Sequence, residues 1–313
     1  MNRPDRPITR RAHMLQMGAA IAFVSSGVRR VSADEYPSDP TAGCNVAFED
    51  DFQSIDWTHW NAGPKATTAP TGFYGRSAFA KQGGDAGFDP YSIVDDPNAQ
   101  NGKALQIAAK YIGQKMNIHN YYGNDLPEYQ WVSGNLQGAT KTGVVLNGWR
   151  FGYFEARMQF PRHPLTWPAF WLLNKASILT PQTCNEVDIV EQKGAEPNQY
   201  GIYLHEWGQP GEHHNSTGNK TAEDLTAGYN LYGMLIQGNV FIPYFNRKPV
   251  LSQTGSPIAW TFGRSDIMDQ TNDVFFPLLT LALSADIPYP TNMPPEDLFT
   301  RMLVDYVRIY QKA

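Results

Sequence analysis

Three carboxylates lie close together in residues 185–192, which read Asn-Glu-Val-Asp-Ile-Val-Glu-Gln. They are Glu186, Asp188 and Glu191, and the three residues between them are β-branched and apolar. Val and Ile favour a pleated strand, so we interpret the stretch as a strand. On a helix, residues at this spacing do not share a face, whereas a strand can present the carboxylates together.

A regular strand would bring only two of these groups together. Side chains alternate between faces, so Glu186 and Asp188 share one face while Glu191 points away. A β-bulge at Ile189-Val190 would place two residues where one belongs and turn Glu191 back to the first face. We therefore expect a bulged strand with the three carboxylates in line.

Carboxylates in such a line repel one another, so at least one should have a raised pKa and keep its proton near neutrality. A carboxylate beside a protonated carboxyl is what retaining glycoside hydrolysis requires, with the two groups about 5–5.5 Å apart. Taken alone, the same residues also suit an amphipathic strand whose polar face meets water.

Neighbouring stretches favour the chemical interpretation. Residues 148–161 read Gly-Trp-Arg-Phe-Gly-Tyr-Phe-Glu-Ala-Arg-Met-Gln-Phe-Pro, residues 167–173 read Trp-Pro-Ala-Phe-Trp-Leu-Leu, and residues 302–310 read Met-Leu-Val-Asp-Tyr-Val-Arg-Ile-Tyr. With the carboxylate strand, these segments closely resemble glycoside hydrolase family 16, in its bulged Glu-x-Asp-x-x-Glu, laminarinase- and lichenase-like form. The resemblance spans roughly residues 46–310.

The resemblance implies an all-β, concanavalin-like jelly-roll sandwich of two antiparallel sheets, with the carboxylates on the floor of an open groove. It implies a retaining endo-β-glycanase in which Glu186 is the nucleophile, Glu191 the general acid and then base, and Asp188 modulates both charges. The implied substrate is a β-1,3- or mixed-linkage β-1,3-1,4-glucan. The implied sugar-contacting residues are Trp167, Trp171, His205 and Trp207.

Other functions stay open on this fold. The protein could hydrolyse a galactan or a bacterial exopolysaccharide, or pass the glycosyl group to another sugar as a transglycosylase. It could also be a sugar-binding module without turnover, but a lectin has no use for three clustered carboxylates.

The expected catalysis needs no cofactor. The resemblance implies one structural calcium ion, for which Asp51, the carbonyl of Gly102 and Asp305 are weak candidate ligands; a surface pair of carboxylates is the alternative. His213 and His214 are adjacent in a Gly- and Asn-rich stretch, a weak indication of zinc.

The N-terminus has the pattern of a targeting segment. Residues 9–15 read Thr-Arg-Arg-Ala-His-Met-Leu, an apolar run follows at 17–24, and Val-Ser-Ala at 31–33 suits a cleavage site. The apolar run is too short for a stable membrane anchor. We expect a twin-arginine-like signal peptide at 1–33, a flexible arm at 34–45 and a single catalytic domain at 46–313, in a periplasmic or extracellular protein.

Removing residues 1–33, which hold six Arg and one Asp, leaves 19 basic and 29 acidic residues and a formal net charge of −10. This charge disfavours nucleic acid and anionic membranes as partners. We expect a polysaccharide partner, no membrane association after signal removal, and a monomer. Cys44 and Cys184 could form a disulfide in an exported protein or remain two free thiols.

Several local features are also predicted. Proline disfavours a central strand, so the strand after Trp167 should begin near Ala169 and leave that indole at the strand's mouth. Glu155 and Arg157 share a face of a long strand and should form an ion pair.

Two positions differ from the pattern of the family. Asn246-Arg247 stands where an Asp-Gly turn is usual, and because Arg tolerates left-handed geometry poorly, we expect a longer hairpin. Asn135 stands where Arg is common, which changes any sugar contact there. Residues 61–92 and 112–131 are expected to be long loops beside the groove.

Overall fold

The structure is a computed structural model and describes residues 36–63, 73–74, 77–113, 131–140, 142–179, 184–207, 212–262, 273–284 and 294–313. The expected signal peptide and most of the expected loop at 112–131 lie outside these residues, as does part of the loop at 61–92.

The described residues form twenty strands and two short helices. The strands are β1 (Cys44–Asp50), β2 (Asn61–Ala62), β3 (Phe73–Tyr74), β4 (Ser77–Phe79), β5 (Tyr91–Asp95), β6 (Lys103–Tyr111), β7 (Trp131–Ser133), β8 (Asn135–Gln137), β9 (Gly152–Gln159), β10 (Thr166–Asn174), β11 (Cys184–Glu191), β12 (Gln199–Trp207), β13 (His213–Ser216), β14 (Lys220–Thr221), β15 (Asn230–Gln237), β16 (Val240–Phe245), β17 (Lys248–Pro249), β18 (Trp260–Thr261), β19 (Phe275–Leu283) and β20 (Phe299–Lys312). The helices are α1 (Ala176–Leu179) and a 3-10 helix (Pro295–Leu298).

Two sheets contain these strands. The first has the order β17-β16-β15-β9-β20-β6-β7-β4-β3, with β1 beside β20, β18 beside β16 and β5 beside β6. The second has the order β13-β12-β11-β10-β19-β8-β2, with β14 beside β12. Within the described ranges the pairing is antiparallel except between β4 and β7. This architecture confirms the predicted all-β jelly-roll sandwich.

The main apolar core lies between the two sheets. Phe154 and Met158 of β9 and Phe170 and Leu172 of β10 are fully buried in one cluster, and the members of each pair are four and two positions apart, so they share a strand face. Burying a large apolar side chain contributes about 1.5–3 kcal/mol. The alternation of apolar residues therefore decides which face of each strand turns inward.

β19 is apolar on both faces. Leu279 and Leu281 belong to the main core, whereas Phe276 and Leu278 join a second apolar cluster on the other face of the sheet. All nine residues of the strand are buried. A strand of this kind lies in the middle of a sheet, and β19 pairs with both β10 and β8.

β10 begins earlier than predicted. It starts at Thr166, and Pro168 is paired within it opposite Leu281. The carbonyl of Pro168 accepts a hydrogen bond from the backbone N–H of Gln192, so the proline still bonds to the chain just beyond the end of the neighbouring strand. Trp167 is therefore a strand residue, and the expected start near Ala169 is wrong.

The expected ion pair between Glu155 and Arg157 is also wrong. Arg247 donates two hydrogen bonds of 2.8 Å to the fully buried Glu155 carboxylate, which also accepts one from the Tyr306 hydroxyl. Arg157 pairs with Asp305 instead. Although residues 155 and 157 share a strand face, each has a partner of opposite charge on a neighbouring element.

The Asn246-Arg247 turn is not lengthened. Phe245 pairs with Lys248, so the turn has two residues, with φ of +49° and +58°. This left-handed geometry is costly for arginine. The bidentate bond to Glu155 offsets that cost, since it gives a buried charge its partner.

We predict that Arg247→Ala lowers the free energy of unfolding by about 3 kcal/mol, because it leaves the Glu155 carboxylate buried without its cation. Urea unfolding measures the loss. The double variant Arg247→Ala with Glu155→Gln is the control and should recover much of it. A double variant no more stable than Arg247→Ala would show that the unpaired charge is not the cause.

Part of the arm expected at 34–45 contacts the first sheet. Tyr36 packs against a buried cluster that contains Tyr244, and the Tyr244 hydroxyl donates a hydrogen bond of 2.9 Å to the carbonyl of Pro37. β1 then begins at Cys44. From Tyr36 onward the arm is therefore attached to the first sheet.

Cys44 and Cys184 are both free thiols, so the disulfide alternative is not realised. Within the described residues, no helix has the length and apolar character needed to span a membrane.

Candidate active site

The predicted bulge is present on β11. Against β12, Asp188 pairs with Tyr203 and Glu191 pairs with Gly201, so Ile189 and Val190 stand opposite a single residue. Against β10, the register shifts between the pairs Phe170–Val190 and Trp171–Asp188. The extra residue changes the alternation of β11 at the position expected from the sequence.

The bulge directs both of its apolar side chains into the core. Val187, Ile189 and Val190 belong to the buried cluster between the sheets. The opposite face of β11 carries Glu186, Asp188 and Glu191, and we call this face of the second sheet the carboxylate face. The three predicted catalytic residues thus lie in one line, as the bulged strand requires.

Aromatic residues of β12 bind two of the carboxylates. The indole of Trp207 donates a hydrogen bond of 3.1 Å from Nε1 to Oε2 of Glu186. Nε2 of His205 lies 3.2 Å from Oδ2 of Asp188. The resemblance implied a sugar contact for His205; in the structure it binds Asp188 and is paired with Glu186 across the sheet.

Glu191 differs from the other two in its environment. Burial raises the pKa of Glu191 well above its ordinary value, and the nearby charges of Asp188 and Glu186 raise it further. The Trp167 indole hydrogen bond and Lys193 act in the opposite direction but are weaker. Glu191 is therefore the member of the line whose pKa the structure raises, and a raised pKa suits a general acid.

Tyr203 belongs to the site although the sequence did not single it out. Its ring stacks on His205 with a centroid distance of 5.8 Å, and His205 stacks on Trp207 at 5.0 Å. Burial, followed by the charges of Glu191 and Asp188, raises the pKa of Tyr203. The signal was available, because Tyr203 shares the alternation of His205 and Trp207 on β12.

Trp171 is held by a chain of buried hydrogen bonds. Its Nε1 donates to the Thr280 hydroxyl at 2.8 Å, and that hydroxyl donates to Oδ1 of Asn135 at 2.6 Å. Asn135 in turn donates to the carbonyl of Gly63 at 2.9 Å. Asn135 therefore orients an indole beside Asp188 and is itself fully buried.

The four expected sugar-contacting residues all stand beside the carboxylates, but their exposure differs. Trp171, His205 and Trp207 are 5%, 8% and 8% exposed, whereas Trp167 is half-buried. Trp207 and His205 act as hydrogen-bond partners of carboxylates. Trp167 has the most accessible ring of the four and is the best placed to stack on a sugar.

Ligand atoms of Glu186, Asp188 and His205 lie within 4.8 Å of one another, a spacing that one metal ion could bridge. In this structure Asp188 and His205 bond to each other, and Glu186 accepts from Trp207.

The calcium candidates do not fit a calcium ion here. Arg157 pairs with Oδ2 of Asp305, and Oδ1 accepts from the backbone N–H of Gln100 at 3.0 Å. Asp51 accepts a hydrogen bond of 2.7 Å from Asn101. The carbonyl of Gly102 accepts from the backbone of residue 96. The positive charge that a calcium ion would bring to Asp305 is supplied by an arginine.

The raised pKa of Glu191 predicts a pH-dependent loss of stability. The folded state binds this proton more tightly than the unfolded chain, so stability falls as pH rises from the ordinary value of 4.5 towards the folded-state pKa. Glu191→Gln cannot ionise, and it should match the wild type near pH 4 and melt higher at pH 8. Each unit of pKa shift corresponds to about 1.4 kcal/mol, or roughly 3–6 °C.

Thermal melts of both proteins between pH 4 and pH 8 measure this difference. Glu196→Gln, which changes an exposed carboxylate near the end of β11, is the control and should follow the wild type. A Glu191→Gln protein that melts lower at every pH would contradict the assignment.

The fold and the site define a class. This is a jelly-roll sandwich in which the outer face of one sheet carries a line of three carboxylates, one of them with a raised pKa, among aromatic side chains. That arrangement characterises sandwich proteins that hydrolyse or bind polysaccharides.

Comparisons with known proteins agree with this class. The family model for glycosyl hydrolases family 16 matches residues 114–254, which include the whole carboxylate line. The glucan endo-1,3-β-glucosidase A1 of Niallia circulans is 26% identical over 290 residues, covering 88% of this chain and 39% of its own length. The endo-1,3-1,4-β-glycanase EglC of Rhizobium meliloti is 25% identical over 293 residues, which cover 92% of this chain and 49% of the length of EglC.

Solved structures show the same fold. The family 16 non-specific endo-β-1,3(4)-glucanase SCLam aligns with a TM-score of 0.59 at 17% identity and covers 90% of this chain and 98% of its own. The catalytic domain of a laminarinase from Thermotoga petrophila aligns with a TM-score of 0.55 at 19% identity, and the alignment covers 86% of this chain and 98% of that domain. The family model and the two curated relatives together support glycosyl hydrolases family 16 as the family of this chain. The chain spans half or less of the length of these two curated relatives.

Proposed function

We propose that this protein is a retaining endo-β-glycanase that hydrolyses a β-1,3- or mixed-linkage β-1,3-1,4-glucan. The observation that carries the proposal is the line of Glu186, Asp188 and Glu191 on one strand face, with the pKa of Glu191 raised by burial and by the charges of Asp188 and Glu186. Retaining hydrolysis uses one ionised and one protonated carboxyl group on either side of the scissile bond.

In the first step, Glu186 attacks the anomeric carbon and forms a covalent glycosyl ester. Glu191 gives its proton to the glycosidic oxygen as that bond breaks, and the departing sugar leaves with a free hydroxyl. Trp207 fixes the position of the Glu186 carboxylate through its indole N–H. A fixed nucleophile needs little further ordering to reach the transition state.

In the second step, ionised Glu191 takes a proton from a water molecule, whose oxygen attacks the anomeric carbon. The ester bond to Glu186 breaks, and both carboxyl groups return to their starting states. Asp188, bonded to His205, keeps a negative charge between them. That charge favours the protonated form of Glu191 and stabilises positive charge developing on the sugar.

The substrate assignment rests on the relatives and on charge. The two relatives reported above are named for β-1,3- and β-1,3-1,4-linked glucans. A formal net charge of −10 after loss of residues 1–33 suits a neutral glucan better than a heavily sulfated polymer. Trp167, the half-buried indole beside Glu191, supplies an apolar surface for a sugar ring.

Release of reducing ends from barley mixed-linkage glucan, laminarin and agarose tests the proposal. We expect release from a glucan by the wild type and none by Glu186→Gln, and Glu191→Gln should lower the rate about 10²- to 10⁴-fold because the general acid is lost. Glu196→Gln is the matched control. Proton NMR of the first products should show the β-anomer, since two displacements retain configuration.

Other outcomes select the alternatives. Release from agarose alone would indicate a galactan hydrolase, and products longer than the substrate would indicate transglycosylation. Tight glucan binding by a folded wild type without release would indicate a sugar-binding module. Wild-type turnover by Glu186→Gln would disprove the assignment of the nucleophile.

We further propose that the protein is exported through its twin-arginine-like segment, acts outside the cytoplasm and is a monomer. Replacing Arg10 and Arg11 together with lysine should stop export, since the paired arginines are the recognised feature. Mass spectrometry of the exported protein should find Asp34 as its first residue. An exported protein that keeps residues 1–33 would contradict the cleavage, and export of the double-lysine variant would contradict the route.

A further inference from the structure

A second histidine stands behind the histidine that binds Asp188. His214 of β13 is paired in register with His205 of β12, which is paired with Glu186 of β11. Nδ1 of His205 lies 2.8 Å from Nδ1 of His214, and Nε2 of His205 lies 3.2 Å from Asp188. The three side chains form a hydrogen-bonded chain from an exposed residue of β13 to the middle of the carboxylate line.

Hydrogen-bond chemistry restricts the protons in this chain. Two ring nitrogens at 2.8 Å need one proton between them, because two N–H groups would repel and two lone pairs would not bond. A neutral His205 that donates from Nε2 to Asp188 can only accept at Nδ1, so the donor there is Nδ1–H of His214. Both ring nitrogens of His205 are then bonded, and its tautomer and ring plane are fixed.

We propose that His214 is a positioning residue for the carboxylate line. It holds His205, and through His205 it holds Asp188, without itself contacting the reacting atoms. This inference rests on the proposed function, because Asp188 matters to catalysis only if the carboxylate line is catalytic. It assigns a role to a residue that the sequence offered only as part of a weak zinc motif.

An experiment must distinguish the effect of the His214 hydrogen bond from the effect of the packing of its ring. The ring also lies against Trp207, with a centroid distance of 4.7 Å and an interplanar angle of 59°, and Trp207 binds Glu186. Phenylalanine at 214 keeps a ring there but has no nitrogen. Glutamine at 214 lacks the ring but has an amide that can donate to Nδ1 of His205.

The kinetic experiment compares His214→Phe, His214→Gln and a control, Ser216→Ala, which changes the same face of β13 opposite Tyr203. On a soluble glucan we expect His214→Phe to lower kcat about tenfold, the effect of one hydrogen bond, with KM changed by less than about twofold. His214→Gln should recover to within about threefold of the wild type, and Ser216→Ala should match it.

Three kinetic results would overturn the proposal. Equal kcat in His214→Phe and wild type would show that the bond has no role. A rise in KM with unchanged kcat would make His214 a sugar contact. Loss of activity in His214→Gln as large as in His214→Phe would show that an amide donor at 214 does not replace the imidazole, which contradicts a role through the hydrogen bond to His205.

A measurement that does not need activity separates this proposal from the proposed function. Nitrogen-15 NMR of the wild type should show one ring proton shared between the Nδ1 atoms of His205 and His214, detected as a coupling across the hydrogen bond and absent in His214→Phe. If the wild type shows the coupling but hydrolyses no glucan, the proposed function is wrong while the hydrogen bond between His205 and His214 stands. Wild-type protein without the coupling would disprove the pair.

Discussion

One extra residue in β11 is the constraint on which the site depends. Ile189 and Val190 occupy the space of a single residue opposite β12, and both are buried between the sheets. A regular strand would bury Glu191 among apolar side chains, where an ionised carboxylate is strongly disfavoured. The bulge places two apolar residues in the core and Glu191 on the carboxylate face. Core packing and the chemistry of the site are therefore satisfied by the same backbone irregularity.

The strands on either side of β11 give the three carboxylates different surroundings. Trp207 donates to Glu186, and His205 bonds to Asp188, and hydrogen bonds to a carboxylate favour its ionised form. Glu191 also receives an indole hydrogen bond, but burial and the two neighbouring charges outweigh it. Groups of one chemical type are thus distinguished by their environment, which is how acid and nucleophile roles separate within a pair of carboxylates.

The first sheet supports this arrangement through buried charge. Glu155 of β9 is fully buried and binds Arg247, which lies in the two-residue turn between β16 and β17. Asp305 of β20 binds Arg157 of β9. Both carboxylates belong to the strands at the centre of that sheet. Their arginine partners connect β9, β20 and the β16–β17 turn, so the sheet that supports the core is cross-linked by guanidinium groups.

The sequence by itself determined the all-β class, the strand of Glu186 and Asp188, and the bulge. The alternation of polar and apolar residues, and its interruption at Ile189-Val190, are local properties of the chain. The sequence also placed Trp167, Trp171, His205 and Trp207 near the carboxylates through resemblance. The sequence did not determine which charged and polar side chains pair with one another. The pairing of Glu155 with Arg247, of Asp305 with Arg157 and of His205 with His214 depends on which strands become neighbours. Only the tertiary structure decided them, because the residues in each pair are brought together by sheet order and register, not by their spacing along the chain.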